Sequence, residues 1–507
     1  MSRFEKKLKK RKQKFKNTTT REDRHSTRVN YTINLSKKRR EEVLKKKRNL
    51  NSFSDQTILE LTDEQIQEEI QNIPNYINQM INGNIDEQYA STQKIRVLLS
   101  IEKDPPINDI LRHDILPTLV EFLDYDKHQH LQFEAAWSLT NIAAGLTEHT
   151  EMVIQAGSLP IFSRLISSKH ESIQEQSIWA IGNIAGDCAE FRDKVIENDV
   201  VPKFIDIIKS NPRIEILKST TWALCNICRA KPHPELKDTN ALISVLIGLL
   251  DYQDIKVVSD SCWSLCYLAD GEPDIIEYVV KQDICPKMVN FLKNSSPIIN
   301  TPALRFLGNI VTGTDDQTQE VLNCGVLPIL FDLLIQGNPL NRKEVCWTLS
   351  NICAGSPEQI QAVIDQKFVP LVIEILKKDT YAVRKEAAWT ISNLVYMGNV
   401  KQMIYLINNG AIDIFCDLLT LNDVRILNSC LESLTKILKL GDFFAKMSDN
   451  QVNRCAQKID EVGGIEKIDL LYKHKNKLLS KTSKYILDKY FPNYETENYS
   501  EEEDEYN

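Results

Sequence analysis

Bulky apolar side chains return along this chain at a fixed interval. The six tryptophans are separated by 42, 43, 41, 84 and 42 residues, and Arg305 stands at the one position that is skipped. An asparagine, or once a tyrosine, follows each position by four residues, which places both on one helix face. We call these positions the ladder: Trp137, Trp179, Trp222, Trp263, Arg305, Trp347 and Trp389, followed by Asn141, Asn183, Asn226, Tyr267, Asn309, Asn351 and Asn393. A period near 42 predicts an all-α solenoid of helical repeats.

Prolines confirm the period and indicate how each repeat is divided. They recur with spacings of 43, 42, 84, 42 and 42, at Pro117, Pro160, Pro202, Pro286, Pro328 and Pro370. Because glycine ends helices and proline opens them at the first position, each repeat is predicted to hold about three helices with the Trp/Asn helix last. Two helices per repeat is the alternative.

Composition divides the chain into four segments. Residues 1–50 form a basic arm, 51–88 a flexible polar linker with some helical character near 62–81, and 89–490 one elongated domain of about ten repeats. The last two repeats lose the tryptophan, as capping repeats do. Residues 491–507 are predicted to be a disordered acidic tail.

The net charge of −8 conceals an unequal distribution. The arm carries 20 Lys and Arg against 5 acids, a net of +15, so the remainder has a net of −23. An acidic body attracts basic ligands, including its own arm. On charge alone the arm is also typical of a nucleic-acid tail, although it lacks the motifs of a nucleic-acid-binding domain.

Other chemistry is weakly represented. The twelve cysteines are scattered and unframed, which suits a reducing compartment, and Cys225-x-x-Cys228 has no second pair at zinc spacing. No apolar run long enough to span a membrane and no nucleotide-binding or catalytic motif is present. We therefore expect a non-enzymatic protein without metal, cofactor or membrane insertion, soluble in the cytosol or nucleus.

The ladder favours a surface groove over a core. A core does not need an asparagine one turn after each tryptophan, since a buried amide must be hydrogen-bonded. An asparagine amide can bind both polar groups of an extended peptide backbone, and tryptophan rings form slots for the stems of cationic side chains. Acids were expected to complete the groove, three residues before a ladder position at Glu134, Glu344 and Glu386, or beyond it at Asp187, Asp270 and Asp315. The predicted ligand is an extended peptide rich in Lys and Arg, bound at two sites separated by Tyr267 and Arg305.

These residues resemble the importin-α (karyopherin-α) family. The likeness rests on AAWSLTNIA at 135–143, IGNIAGD at 181–187, CWSLCYLADG at 262–271 and TPALRFLGNIVTGTD at 301–315. It implies a right-handed armadillo-repeat solenoid that binds nuclear localisation signals of cargo and links them to importin-β, shuttling between cytoplasm and nucleus. EVGGIEKI at 461–468 resembles the family's closing repeat, which implies a recycling exportin as a further partner.

The resemblance also implies site residues. The major signal-binding site would comprise Trp137, Asn141, Gly145, Thr150, Gln176, Trp179, Asn183, Asp187, Trp222 and Asn226, with Asp187 pairing the key lysine. The minor site would comprise Trp263, Tyr267, Arg305, Asn309, Asp315, Glu344, Trp347, Asn351, Glu386, Trp389 and Asn393.

The arm resembles the family's importin-β-binding segment, and because its basic clusters are the kind of ligand the groove is predicted to bind, we expect it to occupy the groove as an autoinhibitor when importin-β does not hold it. The matching residues are Arg11, Phe15, Lys16, Asn17, Arg28, Arg39, Arg40, Lys46, Lys47 and Arg48. One departure is Ser26-Thr27-Arg28, where the family has three arginines. The alternative function is that of another armadillo scaffold, in adhesion or signalling; such a groove would be basic, whereas this body is acidic.

Overall fold

The fold is described by a computed structural model covering residues 63–101, 104–447 and 451–494. Every secondary-structure element in those ranges is a helix, which confirms the prediction of an all-α chain. The basic arm at 1–50, the start of the linker and the acidic tail from residue 495 lie outside the described residues. The helices belong to two units, and each unit is described by itself.

The N-terminal unit comprises the described residues up to 284 together with 296–306. Its helices up to 284 are α1 (Asp63–Gln71), α2 (Ile73–Asn82), α3 (Ile85–Leu99), α4 (Ile107–Leu111), α5 (Leu116–Leu123), α6 (Gln129–Ile142), α7 (Thr147–Gln155), α8 (Ser158–Leu165), α9 (Glu171–Ala185), α10 (Ala189–Glu197), α11 (Val200–Lys209), α12 (Ile214–Arg229), α13 (Leu236–Leu249), α14 (Ile255–Leu268) and α15 (Pro273–Val280).

The C-terminal unit comprises residues 285–295 and the described residues from 307 onward. The remaining helices are α16 (Cys285–Phe291), α17 (Pro297–Ile310), α18 (Asp315–Asn323), α19 (Val326–Gln336), α20 (Pro339–Ile352), α21 (Pro357–Asp365), α22 (Phe368–Lys378), α23 (Tyr381–Met397), α24 (Val400–Asn408), α25 (Ala411–Leu418), α26 (Val424–Ala445), α27 (Arg454–Glu461), α28 (Gly464–Tyr472) and α29 (Lys477–Tyr490). Residues up to 306 of α17 belong to the N-terminal unit.

The described helices form ten successive sets, and nine of them contain three helices. In eight sets, the corner between the first and second helix is a residue with φ between 51° and 89°, as at Gly157 and Gly325. Six of these corners stand three residues before one of the six recurring prolines. The prolines are therefore the second or third residue of the middle helix rather than the first, which costs nothing because first-turn N–H groups lack intrahelical acceptors.

The third helices carry the ladder and pack on one another in sequence. In the N-terminal unit α3, α6, α9, α12 and α14 follow one another, and in the C-terminal unit α20, α23, α26 and α29 do so. Middle helices supply buried aromatic rings to the core at Phe122, Phe162, Phe204 and Phe415. Each ladder helix is thus held between its predecessor and its successor, with one edge left for the ladder side chains.

The boundary predicted at residue 89 is wrong for the described part of the linker. Helices α1 and α2 precede that boundary, and Ile73, Ile77 and Met80 are no more than 5% exposed. The Ser91 hydroxyl of α3 donates to Gln79 Oε1 at 2.7 Å, which ties α2 to α3. The polar composition of this stretch concealed a regular apolar stripe that caps the N-terminal unit.

One set departs from the three-helix pattern. Between α12 and α13 the short first helix is replaced by residues 230–235. Arg192 is 1% exposed, and its guanidinium donates to the backbone carbonyls of Ala230 at 2.8 Å and Pro232 at 2.7 Å. His233 lies in the same connection with Nδ1 3.2 Å from the Cys228 carbonyl, and burial lowers the pKa of its imidazole to about 4. A buried cation therefore holds the connection that follows Trp222 and Asn226.

Apolar helices and potential metal ligands both occur among the described residues. No single helix there is long and apolar enough to span a membrane; α18 and α19 meet that test only as a pair bent by 79°. No group of three His, Cys, Asp or Glu residues in the described ranges comes together as a metal site would require. All twelve cysteines are described, and they are thiols.

Replacing Arg192 with methionine should destabilise the N-terminal unit. The change removes a buried guanidinium and leaves the Ala230 and Pro232 carbonyls without their donor, so we expect unfolding to require about 2–4 kcal/mol less free energy. Urea unfolding followed by circular dichroism measures this. Arg213→Met is the matched control, because that side chain is 64% exposed and its ion pair with Glu171 is a surface pair, contributing less than about 1 kcal/mol. Equal losses in the two variants would contradict this role for Arg192.

Candidate functional site

The ladder side chains are more buried than a strip on an exposed surface would be. Trp137, Trp222 and Trp389 are half-buried, while Trp179, Trp263 and Trp347 are 4–6% exposed. The asparagines other than Asn141 are 2–6% exposed. The groove prediction is therefore modified: the ladder forms a floor whose polar atoms are partly committed to the protein itself.

The ladder asparagines bind the preceding repeat. Their side-chain Nδ2 donates to a backbone carbonyl one repeat earlier, from Asn183 to Thr140 at 3.2 Å, from Asn226 to Gly182 at 3.0 Å and from Asn393 to Ser350 at 2.8 Å. Asn141 donates to the Ser100 hydroxyl at 3.0 Å, and Asn351 donates to the Trp347 carbonyl of its own helix at 3.0 Å. This answers the hydrogen-bonding requirement of a buried amide. It also fixes the direction in which the amide oxygen points.

The first ladder position already holds a cation. The Arg96 guanidinium of α3 lies 4.6 Å from the centre of the Trp137 ring, and Arg96 Nε donates to Glu134 Oε2 at 2.7 Å. The side chains of Arg96 and Glu134 are each only 6% exposed. Glu134 was expected to bind a ligand cation, and instead it pairs within the protein. A tryptophan face with a carboxylate nearby thus binds an arginine in this chain's own structure.

The next two tryptophans stack directly on each other. The rings of Trp179 and Trp222 have centroids 4.6 Å apart at 31°, so no side chain lies between them, contrary to the slot predicted from the sequence. Trp179 Nε1 donates to the Ser219 hydroxyl at 3.1 Å, which anchors one ring of the pair. Gly182 lies beneath Trp222, since a Cβ added there would stand 2.3 Å from its Cζ3 atom. A ligand stem must lie over the exposed ring edges or part the rings.

The remaining residues of the predicted major site divide into surface and core. Asp187 is exposed, and its Oδ1 accepts the Thr147 hydroxyl at 3.1 Å, which leaves the carboxylate accessible beside Asn183. Gly145 is exposed at the end of α6. Gln176 and Thr150 are 5% and 1% exposed, and the Thr150 hydroxyl donates to the Ala143 carbonyl at 3.1 Å. Thr150 therefore shapes the loop after the ladder helix rather than presenting its hydroxyl to solvent.

The other two acids expected beyond the ladder are half-buried. Asp270 pairs with Lys231 at 2.8 Å. Asp315 begins α18 behind the Thr314 cap, is half-buried, and its backbone carbonyl accepts Gln359 Nε2 at 2.8 Å. In the part of the chain that the structure describes, Asp187 is thus the most accessible carboxylate among the predicted site residues.

The interruption of the ladder has its own geometry. Tyr267 stacks on Trp263 of the same helix, with ring centroids 5.7 Å apart at 28°. Burial raises the pKa of the Tyr267 phenol well above its usual value, and the charges of Arg229 and Arg305 act in the opposite direction. Arg305 is 9% exposed. An aromatic pair thus replaces the asparagine contact where the sequence predicts a division between two sites.

The C-terminal unit repeats the ladder geometry with tighter burial. Trp347 lies over Gly308, where an added Cβ would stand 2.3 Å from Trp347 Cζ3. Glu344 and Glu386 are 2% and 3% exposed, so they belong to the floor rather than to an acidic rim. Trp389 is half-buried and offers the more accessible ring. The other predicted minor-site residue of this unit, Asn309, is 6% exposed.

Two features of the site were missed at the sequence level. One is the glycine directly before a ladder asparagine at Gly182 and Gly308, which lets the next tryptophan rest on the backbone. Its signal was present, because the residue before the asparagine is small throughout the ladder. The other is Arg96, which stands one repeat before the first tryptophan and carries no motif of its own.

Known proteins share this fold. A model of the Armadillo/beta-catenin-like repeat matches residues 103–144, 147–186, 188–229, 314–354 and 356–396, and an atypical Arm repeat matches 453–505. Among solved structures, an engineered protein covers 82% of this chain and 98% of its own with a TM-score of 0.72 and 22% identity. The chain is therefore an armadillo-repeat protein, as its sequence predicted.

Sequence comparisons define the family more narrowly. The Importin beta binding domain matches residues 11–93. Importin subunit alpha-B of Dictyostelium discoideum is 48% identical over 470 residues, 92% of this chain and 90% of that protein. Importin subunit alpha-3 of Arabidopsis thaliana is 38% identical over 471 residues, 92% of this chain and 89% of that protein. The chain belongs to the importin-α family of nuclear import adaptors.

Replacing Gly182 with alanine should disturb the tryptophan pair. The new methyl group collides with Trp222, so we expect a loss of about 1–3 kcal/mol in stability and a change in tryptophan fluorescence as the ring moves. Gly248→Ala is the control, because a Cβ there meets nothing within 4 Å and alanine favours the helix by about 0.5–1 kcal/mol. If Gly182→Ala behaved like Gly248→Ala, the proposed contact would be disproved.

Proposed function

We propose that this chain carries basic nuclear localisation signals in the ladder groove and couples them to importin-β through its N-terminal arm. The observation that carries the groove assignment is Arg96, which lies over Trp137 and pairs with Glu134. This is the contact that a ligand Lys or Arg would make at later ladder positions. A cation over a tryptophan ring contributes roughly 0.5–2 kcal/mol.

The ladder also suits an extended peptide backbone. An asparagine Nδ2 has two hydrogens, and one is used within the protein, on the preceding repeat in the Asn183 to Thr140 contact and on its own helix in Asn351. The second hydrogen and the amide oxygen are held in a fixed orientation, so little entropy is lost when a peptide binds. Neighbouring helices are about 8–10 Å apart, which matches roughly three residues of extended chain.

Asp187 is the residue to which we assign charge recognition at the major site. Its carboxylate is exposed beside Asn183 and is held by the Thr147 hydroxyl. Opposite charge within contact distance of a partly desolvated ring pair gives a stronger interaction than the same pair in water. At the minor site the accessible ring is Trp389 and the carboxylate is Asp315.

The arm supplies both the importin-β contact and an autoinhibitor. Its net charge of +15 opposes the net of −23 on the rest of the chain. The same basic clusters that suit the groove lie at Lys46-Lys47-Arg48, within the segment that matches the Importin beta binding domain. Importin-β and cargo would both oppose the closed state, so their binding would be positively coupled. We further propose that a recycling exportin binds at residues 461–468. The chain would then shuttle between cytoplasm and nucleus, acting as an adaptor and not as a catalyst.

Asp187→Lys should abolish binding of a peptide with one basic cluster. The substitution removes a charge pair and adds repulsion, which costs about 2–5 kcal/mol, while circular dichroism and the melting temperature stay near those of the unchanged chain. A fluorescence titration on a chain beginning at residue 60 measures the affinity. Asp206→Lys is the control, since Asp206 is exposed on the middle helix of the next set. Unchanged affinity in Asp187→Lys would refute the assignment.

Trp389→Ala should affect ligands with two basic clusters more than those with one. If the second cluster binds at the minor site, its gain comes from effective concentration, so losing that site reduces a two-cluster peptide to about the affinity of a single cluster. The same titration with both peptides measures this. Tyr381→Ala, at the exposed start of the same helix, should change neither. Equal losses for both peptides would count against two sites.

Removal of the arm should increase the affinity for a single-cluster peptide. A tether of about 40 residues gives an effective concentration near the millimolar scale, so the full-length chain should bind at least tenfold more weakly at moderate salt. Adding importin-β to the full-length chain should restore the higher affinity. If the two chains bind equally and importin-β has no effect, the arm is not an autoinhibitor here, although the groove assignment would stand.

A further inference from the structure

The C-terminal end of the described chain is unusually basic. Lys477, Lys481 and Lys484 recur at spacings of four and three residues on α29, which places them on one exposed face. Lys439 and Lys446 are exposed at the end of α26, the helix that packs beside α29. We call these five residues the lysine face. Lys439 Nζ lies 5.9 Å from the Tyr485 ring, next to Lys484, which joins the two helices into one surface.

Neighbouring lysines are neutralised, whereas those of the lysine face are not. Lys489 lies 3.5 Å from Asp442, Lys473 lies 3.4 Å from Asp469 and Lys467 lies 3.3 Å from Asp417. Within residues 63–101, 104–447 and 451–494, no carboxylate lies within ion-pair distance of the lysine face. Lysines on one surface that form no ion pair attract an anionic ligand, and the exposed Asp488, one turn after Lys484, offsets only part of their charge.

Aromatic and apolar side chains border the lysine face. Phe443 and Phe444 are 52% and 42% exposed, with ring centroids 5.6 Å apart, and Met447 is 72% exposed. Tyr485 is 41% exposed. Exposed apolar groups rimmed by charge mark interaction surfaces. The surface therefore suits a peptide that combines carboxylates with aromatic side chains.

The chain's own C-terminal segment has that composition. Residues 495–507 contain seven carboxylates, two tyrosines and no Lys or Arg, with five consecutive acids at 501–505. The described chain ends at Tyr494, four residues after α29. At this end of α29, Lys489 pairs with Asp442 of α26. Helix α29 is about 20 Å long at 1.5 Å per residue, and the five acids, seven to eleven residues beyond Tyr494, reach about 23–36 Å when the segment is extended. The five acids can therefore reach every lysine of the face.

We propose that the lysine face is a docking site for acidic, aromatic peptides and that its resident ligand is the segment 495–507 of the same chain. Contacts of this kind are individually weak and screened by salt, with a Debye length of about 10 Å at 0.1 M. A short tether compensates by keeping the ligand at an effective concentration near the millimolar scale. The tail then acts as a displaceable cover on the closing repeats, and any partner that binds there through carboxylates competes with it.

Zero-length carbodiimide cross-linking followed by mass spectrometry tests this on the full-length chain. At about 50 mM salt, residues 501–505 should cross-link to Lys481, Lys484 or Lys439 within one chain, and the yield should not change on tenfold dilution. The links should fall at least fivefold at about 500 mM salt, because screening removes long-range attraction. Lys481→Glu with Lys484→Glu should abolish most of them.

A matched double variant controls for net charge. Lys377→Glu with Lys401→Glu changes two exposed lysines of the same unit, and it should leave the links intact. Links that fall equally in both double variants, that spread evenly over the lysines of the chain, or that form only between chains would overturn the proposal.

A second measurement does not depend on cross-linking. A labelled peptide with the sequence of residues 495–507 should bind a chain ending at residue 494 about 2- to 10-fold more tightly than the full-length chain, because the tethered segment competes. A short DNA strand of equal charge serves as a comparison. If removal of the tail leaves peptide binding unchanged, or if it raises DNA binding and not peptide binding, the lysine face is not a site for this segment.

Discussion

The structure depends on a hydrogen bond that joins several of the ladder helices to the ladder helix before them. The amide of Asn183 donates to the Thr140 carbonyl, and Asn226 and Asn393 repeat the contact one or more repeats later. The Thr140 and Ser350 carbonyls lie in the last turn of their helices, where carbonyls lack an intrahelical donor, so the asparagine supplies one. The Gly182 carbonyl also accepts the Gly186 amide at 3.1 Å and uses its second lone pair for Asn226. The contact sets the distance and rotation between neighbours. Because the same amides form the floor of the groove, the distance between stacked repeats also sets the spacing between the proposed binding positions.

Several aromatic side chains of the groove are already covered by other side chains of the protein. Arg96 covers Trp137, Trp179 covers Trp222, and Tyr267 covers Trp263. These internal contacts protect aromatic surface from water, so a peptide must compete with them and gains less than its contact area suggests. Parting a stacked pair forfeits about 0.5–1.5 kcal/mol. This favours ligands with several cations in a row over isolated basic residues.

Much of the architecture could be predicted from periodicity. The ladder spacing gave the repeat length, the helix that carries the site and the break at Tyr267 and Arg305, because these depend on local periodic pattern. Burial was harder to predict. Glu344 and Glu386 look like rim acids in sequence, yet they are 2% and 3% exposed, since exposure depends on packing between repeats that are far apart in the chain. The stacking of Trp179 on Trp222, the position of Arg96 and the packing of the helical stretch near 62–81 against the first repeat depend on the same long-range packing.

The double use of the asparagines bears on how the specificity of such a groove can be altered. An asparagine that is exchanged to change ligand preference also gives up a contact between repeats, so stability and preference cannot be tuned separately at that position. The position three residues before each tryptophan is also buried but differs from repeat to repeat, and it holds Gln176, Ser219 and Asp260 in successive repeats. Ser219 already contacts the tryptophan of the preceding repeat. Redesign of the groove, or its divergence among related chains, should therefore concentrate at these variable positions while the asparagines stay the same.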